Sequence, residues 1–134
     1  MRTKLVPDMY EKVRNLVKNV VASAVGDWAS LTTDIWTSDA KDSYISLTLH
    51  FLNDSFEQKM VVLGCFPFNA EHSAANILKM VEENVAEFDI TDKIHCFVRD
   101  NAANMVAAFD ISVWSHVGCF LHILQVISNG LYCE

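Results

Sequence analysis

Glycine and proline are scarce in this chain, with four and two among 134 residues. That scarcity, beside a hydrophobic content of 51%, excludes a disordered or low-complexity polypeptide, which could not bury enough apolar surface to offset its chain entropy. Basic residues are also few: ten Lys and Arg against seventeen Asp and Glu give a net charge of −7, and the ten are scattered. A nonspecific grip on nucleic acid needs Lys and Arg clustered against phosphates, so any such grip must come from elsewhere. An acidic site that takes up divalent cations suits the balance, although most acidic charges simply lie on solvated faces. The N-terminal residues Met1 to Pro7 lack the apolar core of a signal peptide. No uninterrupted apolar run reaches the roughly 18 residues of a membrane span. The expectation is an intracellular, soluble protein without a membrane partner. Cys65, Cys96, Cys119 and Cys133 stand mostly in apolar runs, where free thiols sit in a reducing compartment, and disulfides are not expected.

What is present has a clear order. The chain is long enough for one domain burying roughly two thirds of its unfolded surface. Pro7-Asp8 predicts a helix start, Val13, Leu16, Val17, Val20, Val21 and Ala24 recur at helical spacing, and Gly26 stops the pattern. The β-branched and aromatic stretch from Leu31 to Ser38 reads as a strand, with a polar turn after it. From Tyr44 to Leu52, Ile45, Leu47, Leu49 and Phe51 alternate with Ser46, Thr48 and His50, the signature of a half-buried antiparallel strand. A third strand, Lys59 to Phe66, follows the turn Asn53-Asp54-Ser55, and Pro67 ends it or marks an edge. The period then becomes helical over about His72 to Phe88. The apolar run Ile94 to Arg99 predicts a strand buried on both faces, joined in parallel through that helix. Asn101 to Phe109 reads as a short helix, Asp110 to Ser115 as a linker, Val117 to Cys119 as a short strand and Phe120 to Ile127 as a last helix.

Three antiparallel strands, a crossover helix and a parallel fourth strand form the first part of a ribonuclease-H-like layout, in which the first and fourth strands are neighbours. Asp34, mid-strand in the first, and Asp100, at the end of the fourth, would then lie side by side. A solvated carboxylate within a strand needs something to hold it. Two adjacent carboxylates attract Mg²⁺ or Mn²⁺, and a pair of such metals can clamp the attacking and leaving oxygens of a phosphodiester. Asp100 could equally serve as an ordinary helix cap.

The literal residues say more. Ser30 to Ser38 (Ser-Leu-Thr-Thr-Asp-Ile-Trp-Thr-Ser), Ser43 to Phe51, His72-Ser73, Asp100-Asn101-Ala102-Ala103-Asn104-Met105 and Cys119-Phe120-Leu121-His122 occur in this order. Together they resemble the hAT superfamily of transposases, in particular the zinc-finger BED-domain-containing proteins derived from them. The resemblance runs from about Pro7 to Ile127. It implies that Asp34 and Asp100 are the first two acids of a DDE triad, catalytic metal ligands for Mg²⁺ or Mn²⁺ in DNA cleavage and strand transfer. It also implies that Cys119 and His122, a Cys-x-x-His pair, lie near the site together with Arg99 and Asn101. One Cys-x-x-His supplies two ligands where a structural zinc wants four, so no zinc site is expected, even counting His116 and Cys96. Arg99 stands where the family often has Thr; its charge could pair with Asp100, compete with metal or reach a phosphate. Ala74 replaces the usual Gly. The third acid, a Glu beyond a large helical insertion in the family, is missing, and Glu134 is a poor substitute.

These readings divide the chain into an N-terminal amphipathic helical segment, residues 1–28, and a partial ribonuclease-H-like α/β domain, residues 29–134. The function they imply is that of a partial hAT-type transposase or a nuclear protein derived from one, inactive as this chain alone. The alternative is a domesticated, non-enzymatic BED-type protein acting as a DNA-associated regulatory or protein-interaction module. A metal-dependent phosphatase or nuclease of another kind lacks support, since Gly-rich phosphate loops are absent. Neither a further cofactor nor a small-molecule substrate is implied. DNA is expected as a partner through regions outside this chain. Incomplete cover over Ile94 to Val98 and over the last helix predicts self-association.

Overall fold

The alternation in the second strand decides the shape of the sheet. A computed structural model describes residues 2–24 and 28–131. Its elements, in order, are α1 (Arg2–Ala24), β1 (Ala29–Thr37), β2 (Ser43–Leu52), β3 (Gln58–Pro67), α2 (Ala74–Glu87), β4 (Ile94–Arg99), α3 (Ala103–Asp110), β5 (Ser115–Gly118) and α4 (Phe120–Leu131). A 3₁₀ turn, Thr91–Lys93, leads into β4. The strands form one sheet in the order β3-β2-β1-β4-β5. β1 is antiparallel to β2 and parallel to β4, β2 is antiparallel to β3, and β4 is parallel to β5. This mixed α/β architecture is the expected ribonuclease-H-like layout, with β5 added beyond the fourth strand.

Ile45, Leu47 and Leu49 of β2, Leu31 of β1 and Phe97 of β4 point to one face and are fully buried. Ile77, Val81 and Val85 of α2 and Met105, Ala108 and Phe109 of α3 complete the same core. The Phe97 ring lies 4.8 Å from Phe109 and 5.0 Å from Trp114. Each of these side chains larger than alanine contributes about 1.5–3 kcal/mol by leaving water. α1 joins this core through Val21, and its Arg14 and Lys18 bind Glu87 of α2, Lys18 at 2.8 Å.

The opposite face is thinly covered. Asp34, Trp36, Met60, Val62 and Cys65 are exposed there, and Thr32, Ser46, Thr48, Cys96 and Val98 are only half-buried. The continuous apolar run of β4 therefore does not signal burial on both faces: Phe97 is enclosed, while Cys96 and Val98 look onto the open side.

Turn chemistry holds the meander. Asn53 Oδ1 accepts from the backbone N–H groups of Ser55 (3.1 Å) and Glu57 (2.9 Å), an Asx-type turn that lets Phe56 take a positive φ of 59°. Pro67 ends β3, which is an edge strand and has no further ladder partner to lose.

Several boundaries differ from the sequence reading, and four of them have a local cause. α1 begins before Pro7, whose ring is compatible with helical φ and forfeits one backbone bond inside the helix. α2 starts at Ala74 because Ser73 is its cap, its hydroxyl accepting from the Asn76 N–H at 3.4 Å. α3 starts at Ala103, two residues late, because the Asp100 carboxylate takes the Ala102 N–H at 2.8 Å and forms a turn there. β5 runs Ser115–Gly118, with Trp114 just before it anchored through its indole N–H to the Thr91 carbonyl at 3.3 Å. The helix stop read at Gly26 and the terminal Glu134 lie outside the described residues.

Candidate active site

Strand register brings the two acids together. The last matched pair of β1 and β4 is Thr32 with Val98. Asp34 lies two residues beyond Thr32 within β1, and Asp100 two residues beyond Val98, just past the end of β4; both line the same cavity. Beyond Thr32 the first strand stays paired only to β2, where Asp34 faces Ser46. The separating strand ends open a cavity of about 290 Å³ lined by Thr32, Asp34, Ser46, Val98, Asp100, Cys119, His122 and Gln125 among others.

The two carboxylates have different surroundings. The Asp34 residue is exposed and its carboxylate makes no hydrogen bond or ion pair among the described residues, so its place within a strand needs no holding group: it simply faces the open side. Asp100 is half-buried, with Oδ1 bonded to the Ala102 N–H. It is thus both the turn-forming acid and a member of the pair, because one oxygen suffices for the turn and the other remains.

Cys119 and His122 line the same cavity, brought there by the start of α4. That start is tied to β4 by the Cys119 N–H donating to the Arg99 carbonyl at 2.6 Å. Arg99 is oriented differently from any of the three possibilities the sequence raised. Its side chain is buried on the α3 side of the sheet, where Nη1 donates to the Asp100 carbonyl at 2.8 Å and to Asn101 Oδ1 at 3.4 Å. It does not pair with the Asp100 carboxylate. Asn101 borders a different, apolar hollow with His122, Ile123, Val126 and Ile127.

Sequence reasoning missed Ser46, Thr32 and Gln125 as lining residues. Folding β1 back onto β2 about the Ser38–Asp42 turn pairs Asp34 with Ser46, so that signal was available. It also missed a hollow of about 140 Å³ on the other flank of Asp100, walled by Trp36, His72 and Asn104. Asn104 reaches across from α3 to the His72 carbonyl at 3.1 Å, and the Trp36 ring stacks on Tyr44 with centroids 5.8 Å apart.

The donor set fits a hard divalent cation. Mg²⁺ and Mn²⁺ prefer oxygen ligands, and Mg²⁺ commonly binds through one or two carboxylates with water and phosphate filling its shell. Among the described residues, no three His, Cys, Asp or Glu side chains gather to hold a metal. Among the described residues, His116 Nδ1 accepts from Arg99 and the Cys96 thiol lies against the Phe97 carbonyl.

A mixed sheet in the order 3-2-1-4-5, with an acid within the first central strand and another just past the end of its parallel neighbour, defines a ribonuclease-H-like domain. The chain belongs to the ZBED1 RNase-like domain family, whose match covers residues 32–114. Among its relatives, human "Zinc finger BED domain-containing protein 6" is 30% identical over 98% of this chain and 15% of its own length. The Zea mays protein named "Putative AC transposase" is 26% identical over 94% of the chain and 17% of its own length. The Talaromyces stipitatus protein named "Putative transcriptional regulator tpeD" is 25% identical over 98% of the chain and 17% of its own length. The chain spans about a sixth of the length of these relatives, and it is related by descent to transposases and BED-type proteins.

Proposed function

We propose that this chain is a partial hAT-type catalytic core, from a transposase or a nuclear protein derived from one, in which Asp34 and Asp100 hold Mg²⁺ or Mn²⁺. The observation that carries this reading is the register of β1 and β4, which aligns the two acids at the rim of one solvent-open cavity. When bound, such a cation neutralises charge on phosphodiester oxygens and activates the attacking group. Asp34, free of protein partners among the described residues, and the second oxygen of Asp100 are the ligands. His122, Gln125 and Ser46 offer hydrogen bonds to a phosphate oxygen in the cavity, and Cys119 and His122 border it rather than bind zinc.

DNA reaches this site through contacts made elsewhere, because a net charge of −7 opposes a phosphate backbone. Two carboxylates without a third beside them among the described residues leave this chain by itself without strand-cleaving activity. The relatives' names support DNA association and a nuclear location, and among the described residues no helix is long and apolar enough to cross a membrane.

The test is Mn²⁺ titration by calorimetry together with nicking of supercoiled DNA. Wild type binds Mn²⁺, Asp34→Asn and Asp100→Asn each lose about tenfold or more in affinity, and no nicking occurs. Uptake indifferent to both substitutions rejects the site. Nicking that vanishes in Asp34→Asn rejects the inactivity.

A second reading, a non-enzymatic regulatory or protein-interaction module, is favoured by one observation: Phe120, Leu121, Val126 and Ile127 of α4 are all more than half exposed. Under that reading partner binding survives the loss of both acids.

A further inference from the structure

Arg99 presents a physical puzzle. Its guanidinium is buried, with 7% of the residue exposed, yet among the described residues no carboxylate touches it. Both Nε and Nη2 converge on one atom, His116 Nδ1, at 3.2 and 3.1 Å. Because Nδ1 accepts, the ring proton sits on Nε2, which lies 3.2 Å from Asp110 Oδ1. The counter-charge for Arg99 is therefore one imidazole away. Such an arrangement is a poor way to gain stability, since an apolar residue of similar size generally costs less than a buried charge without direct pairing.

What an apolar residue would not provide is a fixed donor. Nη1 is bonded to the Asp100 carbonyl, the Arg99 carbonyl is bonded to the Cys119 N–H, and Asn101 Oδ1 lies against both Nη1 and Gly118. The Asp100 carboxylate in turn accepts from Ala102. The three-residue corner that carries Asp100 is thus held on each side by a named bond, and among the described residues Arg99 supplies the only one donated by a cationic side chain. Without it the corner is free to rotate its peptide, and the free oxygen of Asp100 leaves the cavity rim.

We propose that Arg99, braced by His116 and Asp110, is a positioning residue that orients the Asp100 carboxylate for metal binding. This rests on the reading of Asp34 and Asp100 as ligands. Arg99 is among the residues lining the cavity, but its guanidinium is engaged by His116 and the Asp100 carbonyl, so its effect on the site travels through the Asp100 peptide.

The experiment compares Mn²⁺ affinity, measured by calorimetry well below the melting temperature, across wild type, Asp100→Asn, Arg99→Met, His116→Leu and His116→Gln. Outer partners of metal ligands change affinity by about 10–100-fold. Arg99→Met and His116→Leu are expected to weaken binding about tenfold. His116→Gln, whose amide oxygen can accept from the guanidinium, is expected to recover most of the affinity. Full affinity in folded Arg99→Met or His116→Leu overturns the inference, even where melting temperatures fall, because a merely structural role lowers stability without touching the site. Should Arg99→Met fail to fold, the Leu and Gln variants at His116 decide, with equal affinities in the two overturning the inference. Mn²⁺ uptake that Asp100→Asn leaves unchanged rejects the metal site itself and this inference with it, a result distinct from normal Asp100 dependence with insensitive Arg99 and His116 variants.

Discussion

Asp34 and Asp100 each stand two residues past the last pair that joins their strands, Thr32 with Val98. The two strands part at that point, β1 continuing along β2 to Thr37 and β4 ending at Arg99. Both acids consequently reach the same opening while neither is buried in the ladder. A slip of one residue in either strand would turn its acid to the core face, where an ionised carboxylate is costly. The apolar residues that set the register, Leu31 and Phe97, thereby also set the site.

Next to Asp34, the hydroxyl of Thr33 is buried on the core face with no hydrogen-bond partner among the described residues. Thr33→Val replaces it with a methyl group of the same shape and is expected to raise stability by about 1 kcal/mol. Urea unfolding measures this. A loss of stability would mean that the hydroxyl is bonded in solution.

A Cβ at Gly118 would lie 2.3 Å from Asn101 Oδ1 and 3.2 Å from its Cγ. Gly118→Ala must displace the Asn101 side chain from Arg99; because Asn101 is exposed and can swing aside, the expected cost is about 1 kcal/mol, that of the lost hydrogen bond. Denaturant melts of this variant with and without Asn101→Ala test the cause. If the lost bond is responsible, adding Asn101→Ala costs nothing further.

Glu87 links α1 to α2. The Lys18 ammonium, and after it the Arg14 guanidinium, hold its carboxyl below the ordinary range, against the opposing effect of burial. A carboxyl depressed in the folded state stabilises it above the unfolded value near 4.3 and loses that contribution as pH falls through the folded value. The groups are partly solvated, so the effect at neutral pH is about 0.5–1 kcal/mol. Thermal melts of wild type and Glu87→Gln between pH 7 and pH 3 should differ at neutral pH and converge in acid. A constant difference over the whole range would exclude the ion pair as its origin.

The apolar side chains of α4 lie open, Leu121 at 73% and Phe120 at 68% exposure. Concentration-dependent association is the expected consequence. Light scattering after size-exclusion chromatography should show oligomers at high protein concentration, reduced by the pair Phe120→Ser and Val126→Lys. A wild-type chain that stays monomeric throughout would contradict this.

Much of the fold was legible because its signals are local. The alternation of Ile45, Leu47, Leu49 and Phe51 gave β2, and the limits of β4 at Ile94 and Arg99 coincide with the apolar run. Asp34 and Asp100 stood out because a strand mostly of apolar and β-branched residues has few reasons to contain or end on an acid. Less legible was the direction of Arg99. Its partner His116 is 17 positions away on a strand only four residues long, too short for periodicity to register. The open face of β4 was also hidden, since an apolar run reads the same whether one face or both are covered.

The sequence by itself determined the elements, their order and the two acids, because hydrophobic period and turn chemistry act over neighbouring residues. Only the tertiary structure decided that Asp34 and Asp100 share one cavity with Cys119 and His122, and that the Arg99 guanidinium is bonded to His116 and not to the Asp100 carboxylate. Those outcomes depend on which strands pair and in what register, a choice made by burial of a common core across distant segments and not by any one of them.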